Sequence, residues 1–180
     1  MSPGLHPPLF GTIAACLARA QRSAILPGRR PLHFSRTATR EQMPRVRIVR
    51  RLHFSAAHRL SRPDWSEDRN VRTFGECAHR NWHGHNYELE VAVVGPVDPE
   101  TGYVMDLAAL KELVERQVVG DLDHRNLNLD VPWLADVVPT TENLAIGIWE
   151  RISPHIPPPA VLDAVIVQET PRNRVEYRGG

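Results

Sequence analysis

The sequence predicts an α+β domain, an antiparallel sheet with its helices packed on one face. Two patterns carry this reading. Tyr87, Leu89, Val91 and Val93 alternate with Asn86, Glu88 and Glu90, the period of a half-buried strand. Leu107, Leu110, Leu113, Val114 and Val118 recur at helical spacing instead. Strand, long loop, hairpin, helix, helix, strands is the resulting order, so the helices come as a block and do not alternate with the strands.

Val46, Ile48, Leu52 and Phe54 begin the domain as a strand whose alternation is disrupted at Val49 to Arg51. The stretch from Arg59 to Asn81 reads as a polar loop, punctuated by Pro63, Asp64, Asn70 and Gly75. After the second strand, Gly95-Pro96 through Thr101-Gly102 is turn chemistry leading to a short strand at Tyr103 to Met105. The first long helix gives way to a polar connection, Asp121 to Leu127. A second helix starts at Thr140 or Thr141, whose hydroxyl can cap its first turn, with Glu142 near the positive end of the dipole. Leu144, Ile148, Trp149 and Ile152 form its apolar face. Val161 to Gln168 is a near-continuous apolar strand, and Val175 to Tyr177 one more.

A chain of 180 residues fits one domain plus a tail. Residues 1–43 form an arginine-rich extension, with no acidic residue before Glu41 and prolines at 3, 7, 8, 27 and 31. Its one candidate helix runs from Ile13 to Ala20. That is the profile of an organelle transit peptide, expected to be disordered. An over-long start fits equally, because Met43 stands directly before the first strand. The catalytic domain is expected over 44–180. A net charge of +1 gives no global pull toward nucleic acid or a membrane surface. No apolar run approaches the ~20 residues that span a bilayer. The cysteines are Cys16, in the extension, and Cys77, which argues against a disulfide framework and for a reducing compartment. The expected location is cytoplasmic, or mitochondrial if the extension is a transit peptide.

His83 and His85 stand two apart on a strand and therefore point to the same face. Zinc needs such convergence, with imidazole nitrogens about 2.0–2.1 Å from the ion. Gly84 between them permits a close backbone approach, and His58, closing Phe54-Ser55-Ala56-Ala57-His58, is a candidate third ligand. Three neutral imidazoles and an open position describe a catalytic zinc site better than a structural one. A cupin-like site using Glu90 fails, because Glu90 faces away from both histidines on an unbroken strand. A three-histidine hydratase fits the metal but leaves Cys77, Asp123 and Glu169 without a role. Cys77, six residues before His83, is a candidate base, since a dication nearby stabilises a thiolate. Asp123-His124 can act as an oriented acid–base pair. Glu169 ends an apolar strand, where it is either a loop-start charge or an acceptor of two parallel hydrogen bonds from a guanidine-like edge.

In order, the chain carries Phe54-Ser55-Ala56-Ala57-His58-Arg59-Leu60, then Cys77 five residues ahead of His83-Gly84-His85-Asn86-Tyr87, then Asp98-Pro99-Glu100-Thr101-Gly102-Tyr103-Val104-Met105. Leu122-Asp123-His124-Arg125-Asn126-Leu127, Pro139-Thr140-Thr141-Glu142-Asn143 and Glu169-Thr170 come after these. From about Val46 onward the sequence resembles the 6-pyruvoyl-tetrahydropterin synthase family, which includes the related 6-carboxy-tetrahydropterin synthases. The resemblance implies a tunnelling fold: antiparallel strands with two helices, subunits assembling into a barrel-like homohexamer with active sites between them. It implies that His58, His83 and His85 hold zinc and that Cys77, Asp123 and His124 move protons. Glu169 would bind the pterin's 2-amino-pyrimidinone edge, with Thr140, Thr141 and Glu142 lining that pocket. Cys77 and the Asp123-His124 pair would come from different subunits.

The substrate implied is 7,8-dihydroneopterin triphosphate, a small molecule, with no nucleic acid or membrane partner. Two products compete. Five residues between Cys77 and His83 favour the pyruvoyl product, an internal redox rearrangement after loss of triphosphate. The intervening Ala78-His79-Arg80-Asn81-Trp82 departs from that group's usual asparagine and glycine, which keeps in view the queuosine-pathway carboxy product and its release of acetaldehyde. His79 is a candidate extra base or ligand, and Trp82 a residue that narrows the pocket mouth or covers the sheet. A pterin-binding module without turnover is the third reading, and the intact Cys77 and Asp123-His124 argue against it.

Overall fold

Two fourteen-residue strands form the spine of the structure, a computed structural model that describes residues 43–180. The extension, with Cys16 and the candidate helix at 13–20, lies outside the described residues. Strand β1 (Arg45–His58) and strand β2 (His83–Pro96) pair antiparallel throughout, from Arg45 opposite Pro96 to His58 opposite His83. β1 runs straight through Val49 to Arg51, where the alternation is broken in sequence. The break belongs to one side chain and not to the backbone. Arg50 takes a core-side position between Ile48 and Leu52 and is only half-buried.

Strand β3 (Arg125–Asn126) lies parallel to β1 at Ala56 and Ala57. Strand β4 (Val161–Thr170) pairs antiparallel with β2, and β5 (Asn173–Tyr177) with β4. The sheet order is β3-β1-β2-β4-β5. Tyr103 to Met105, expected as a strand, is irregular. Asp98 explains it: its carboxylate accepts from the amides of Glu100 and Thr101 at 2.8 and 2.9 Å, and its carbonyl from Gly102 at 2.8 Å. The chain folds back on that one residue and leads directly into a helix cap.

Helix α1 (Glu67–Phe74) occupies the expected polar loop. Ser66 caps it by accepting from the Arg69 amide at 3.3 Å, and Glu67 and Asp68 sit in its first turn. It carries no apolar stripe, its one buried residue being Asn70, so helical periodicity does not reveal it. Helix α2 (Leu107–Val114), capped by Asp106, passes through a π-turn at Glu115–Val119 into the short α3 (Gly120–Leu122). Helix α4 (Thr141–Ile152) takes Thr140 as its cap. The fold is thus α+β, with one five-stranded sheet and three helical segments once α2, the π-turn and α3 are taken as one run.

The core lies between the sheet and the α2–α3 and α4 layer. Phe54, Tyr87, Leu89, Val91 and Val93 of the sheet meet Leu110, Val114, Val118, Leu122, Leu144, Ile148 and Ile152. The opposite face of the sheet carries a small buried apolar cluster, Ala92, Ala164 and Ile166, and is crossed by ion pairs, Arg47 to Asp163 at 2.6 Å and Arg51 to Glu90 at 2.5 Å. Among the described residues no helix is long and apolar enough to cross a membrane.

Gly84 is where the two long strands press closest at the site end. A Cβ there would stand 3.1 Å from the Ala56 carbonyl oxygen. Replacing Gly84 with valine is expected to destabilise the fold by about 1–3 kcal/mol in urea unfolding, since the extra carbons spread β1 from β2. Wild-type stability in that variant would show that the strands are free to separate there.

Candidate active site

Register and pleat together assemble a three-histidine cluster at one end of the sheet. His58 is opposite His83 and Ala56 opposite His85, so all three imidazoles emerge on the core face. Ring centroids are 4.5 Å apart for His58 and His83, 5.1 Å for His58 and His85, and 5.0 Å for His83 and His85. Each side chain offers one ligand atom, and these lie within 4.8 Å of one another.

His58 is 1 % exposed, and its Nδ1 donates to the Pro139 carbonyl at 2.9 Å. A carbonyl only accepts, so Nδ1 carries the proton and Nε2 keeps its lone pair. The residue before this acceptor is tied to α4, because the Asn143 side-chain amide donates to the Val138 carbonyl at 2.9 Å. His58 Nε2, both nitrogens of His83 and His85 Nε2 are buried with no hydrogen-bond partner. Buried polar atoms are normally satisfied, and three such nitrogens, one from each ring and all within 4.8 Å of one another, make a donor set suited to a metal ion. Burial lowers the pKa of both His58 and His83, keeping them neutral as ligation requires. The donor set fits a divalent cation.

Glu169 leans over this cluster. It falls at the register shift between Gln168 and Thr170, and its Oε1 is 3.6 Å from His58 Nε2 and 3.7 Å from His85 Nε2. Tyr87 is buried two residues beyond His85 on the same face, where its hydroxyl feels the Glu169 charge. Burial first, and the Glu169 charge second, push the Tyr87 phenol far above its ordinary value, so it remains a donor. Tyr87 is a site residue that sequence reasoning left unassigned. Its strand parity with the two histidines was the available signal.

Cys77 sits in the 3₁₀ turn Gly75–Ala78, whose position is tied to the end of β1. The Leu60 amide donates to the Cys77 carbonyl at 2.8 Å, and Arg59 Nε to the Ala78 carbonyl at 2.8 Å. Cys77, Thr140, Thr141, Glu142 and Glu169 line one cavity of about 530 Å³. Burial raises the Cys77 thiol pKa, and the charges of Glu169 and Glu76 raise it further. His79 is exposed, its Nδ1 accepting from the Asn81 amide at 3.2 Å, and neither it nor Trp82 borders this cavity.

Asp123 and His124 come directly after α3. Asp123 Oδ1 accepts from the Ser55 amide at 2.8 Å, and Oδ2 lies 3.0 Å from His124 Nδ1. The His124 amide donates to the Ser55 carbonyl at 2.6 Å. The Ser55 amide, and then His124, hold the Asp123 carboxyl below its ordinary value. The two side chains are thus in contact, and neither lines the Cys77 cavity. His124, with 82 % of its side chain exposed, faces a second cavity of about 560 Å³ bordered by Ser55, Asn86, Arg125 and also His85.

The fold and this cluster agree with what the chain is similar to. Residues 47–180 match the family described as 6-pyruvoyl tetrahydropterin synthase. The human protein named 6-pyruvoyl tetrahydrobiopterin synthase is 47% identical over 134 residues, covering 74% of this chain and 92% of its own. The protein of the same name from Drosophila melanogaster is 44% identical over 138 residues, covering 77% and 82%. The solved structure of Caenorhabditis elegans 6-pyruvoyl tetrahydropterin synthase is 43% identical, with a TM-score of 0.73 and coverage of 77% of this chain and 98% of that one. With two long paired strands, the histidine cluster at their end and this breadth of sequence likeness, the chain belongs to the 6-pyruvoyl tetrahydropterin synthase family.

Proposed function

We propose that the protein is a zinc-dependent lyase converting 7,8-dihydroneopterin triphosphate to 6-pyruvoyl-tetrahydropterin with loss of triphosphate. One observation carries the reading: three imidazoles, each with an unpartnered buried nitrogen, converge at the end of β1 and β2, with Glu169 over them and Cys77 in the adjoining cavity. Zinc held by His58, His83 and His85 supplies Lewis acidity toward the substrate's side-chain hydroxyls and a positive charge that opposes the upward push on the Cys77 thiol.

The protein's own groups do the rest. Glu169 accepts two parallel N–H bonds from the 2-amino-pyrimidinone edge. Thr140, Thr141 and Glu142 line the same cavity and exclude water from the ring. Cys77, as thiolate, removes a proton from a side-chain carbon, and His124 donates or accepts the next. Asp123 fixes which His124 nitrogen carries the proton, as its 3.0 Å approach to Nδ1 allows. His124 faces a cavity other than that of Cys77, which supports a site completed by a second copy, within a homohexamer. Residues 44–180 carry this chemistry, with 1–43 outside it.

The test is incubation of the full chain with zinc and 7,8-dihydroneopterin triphosphate, measuring product mass and triphosphate release. Acetaldehyde with a 6-carboxypterin would assign the carboxy product instead, and binding without turnover a pterin-binding module. Cys77→Ala is expected to lower kcat by roughly 10²-fold or more, as loss of a general base does; full turnover in this variant would remove Cys77 from the base role. Glu169→Gln should chiefly raise KM, read from steady-state kinetics, because it weakens an anchor away from the reacting carbons. His83→Ala should leave purified protein without stoichiometric metal by elemental analysis, and metal at wild-type level would mean that the cluster is not the binding site. The Asp123 carboxyl should titrate by NMR below the ~3.9 of an ordinary aspartate. Its folded value being the lower one, its contribution to stability is whole above the unfolded value and is lost as pH falls through the folded one.

A further inference from the structure

The pair Asp123–His124 emerges from a helix that changes its hydrogen-bond spacing just before it ends. Across the π-turn Glu115–Val119 the Gly120 amide reaches back five residues to the Glu115 carbonyl, whereas Asp123 reaches back four to Val119 at 2.9 Å. Returning from the wider to the tighter spacing leaves carbonyl capacity unused at the junction. Arg151 of α4 fills it, Nε donating to the Gln117 carbonyl at 2.5 Å.

The same guanidinium does a second task. Arg151 Nη2 donates to Asp121 Oδ2 at 2.9 Å, and that oxygen also accepts from Trp133 Nε1 at 3.1 Å. The Arg151 guanidinium lies 5.2 Å from the centre of the Trp133 ring. The ring is seated against α4 at Gly147, where a Cβ would come within 2.7 Å of Trp133 Cζ3. One carboxylate oxygen thus ties together α4, the 3₁₀ turn Pro132–Leu134 and the end of the α2–α3 run.

Asp121 stands two residues before Asp123, with the fully buried Leu122 between them. A change of one residue in the π-turn's hydrogen bonding would rotate the residues beyond it by about 100° around the helix axis. Asp123 would then lose its contact with the Ser55 amide, and the His124 amide its bond to the Ser55 carbonyl. We propose that Asp121, Trp133 and Arg151 are positioning residues that hold the π-turn in register and so set the orientation of the Asp123–His124 pair. The catalytic role of that pair rests on the function proposed above, whereas the positioning itself does not.

The test uses full-length Trp133→Phe, which keeps a ring over Gly147 but lacks the N–H donor, and Arg151→Lys, which cannot serve both acceptors. In each variant kcat is expected to fall roughly tenfold with KM and bound metal unchanged, as a misplaced acid–base group requires. Amide hydrogen exchange over residues 122–127 should quicken severalfold while that of α4 stays at the wild-type rate. Asp121→Asn, whose amide oxygen still accepts, should lie between these variants and wild type. Unchanged exchange at 122–127 would overturn the proposal, and so would a fall in kcat accompanied by equally faster exchange throughout α4, the mark of a purely structural tie. Should the wild-type chain prove inactive on the pterin triphosphate, the proposed function fails, and the exchange measurement alone decides the positioning.

Discussion

The pairing of His58 with His83 is the constraint on which the rest of the site depends. It is secured by the whole fourteen-residue ladder between β1 and β2, whose core face carries Phe54, Tyr87, Leu89, Val91 and Val93. A slip of one residue would turn every side chain of a strand to the other face, exposing Phe54 along with His58. The metal-binding geometry is therefore protected by the same hydrophobic burial that makes the sheet, and the cluster needs no dedicated scaffold. Beyond the ladder, the His58 bond to Pro139 brings in the start of α4, and the Cys77 turn is tied to Leu60 and Arg59 just past β1.

Electrostatically the cluster is built for a guest of positive charge. The His58 and His83 imidazoles are kept neutral by burial, Glu169 adds a carboxylate within 4 Å of His58 and His85, and burial and neighbouring acids push the Cys77 thiol up. A cation among these nitrogens satisfies the orphaned lone pairs, balances Glu169 and favours the thiolate at once.

How much of this is legible in the chain depends on the range over which each signal acts. Strand parity makes His83 and His85 neighbours, and the capping preference of Thr140 locates the start of α4, because both depend on residues a few positions apart. His58 becomes a candidate ligand only through the ordered family motifs, since its partner in register lies twenty-five positions away. Helix α1 is hidden from periodicity because it buries Asn70 and has no apolar stripe. Tyr103 to Met105 departs from the expected strand because turn bonds from Asp98, and not side-chain alternation, decide its course. The clamp of Arg151 on Asp121 and Gln117 has no local signature, joining groups thirty or more positions apart. The Pro139 carbonyl has no side-chain signature either.

The division of the reactive groups between two cavities has a consequence for how the activity depends on amount. Within one chain the thiol of Cys77 and the imidazole of His124 face different spaces. On the proposed reading they meet only across a contact between copies, so each subunit is folded and holds its metal yet is half a catalyst. Dilution below the assembly's dissociation constant would then extinguish turnover without unfolding any chain, and two chains defective in opposite halves would restore it wherever their sound halves meet.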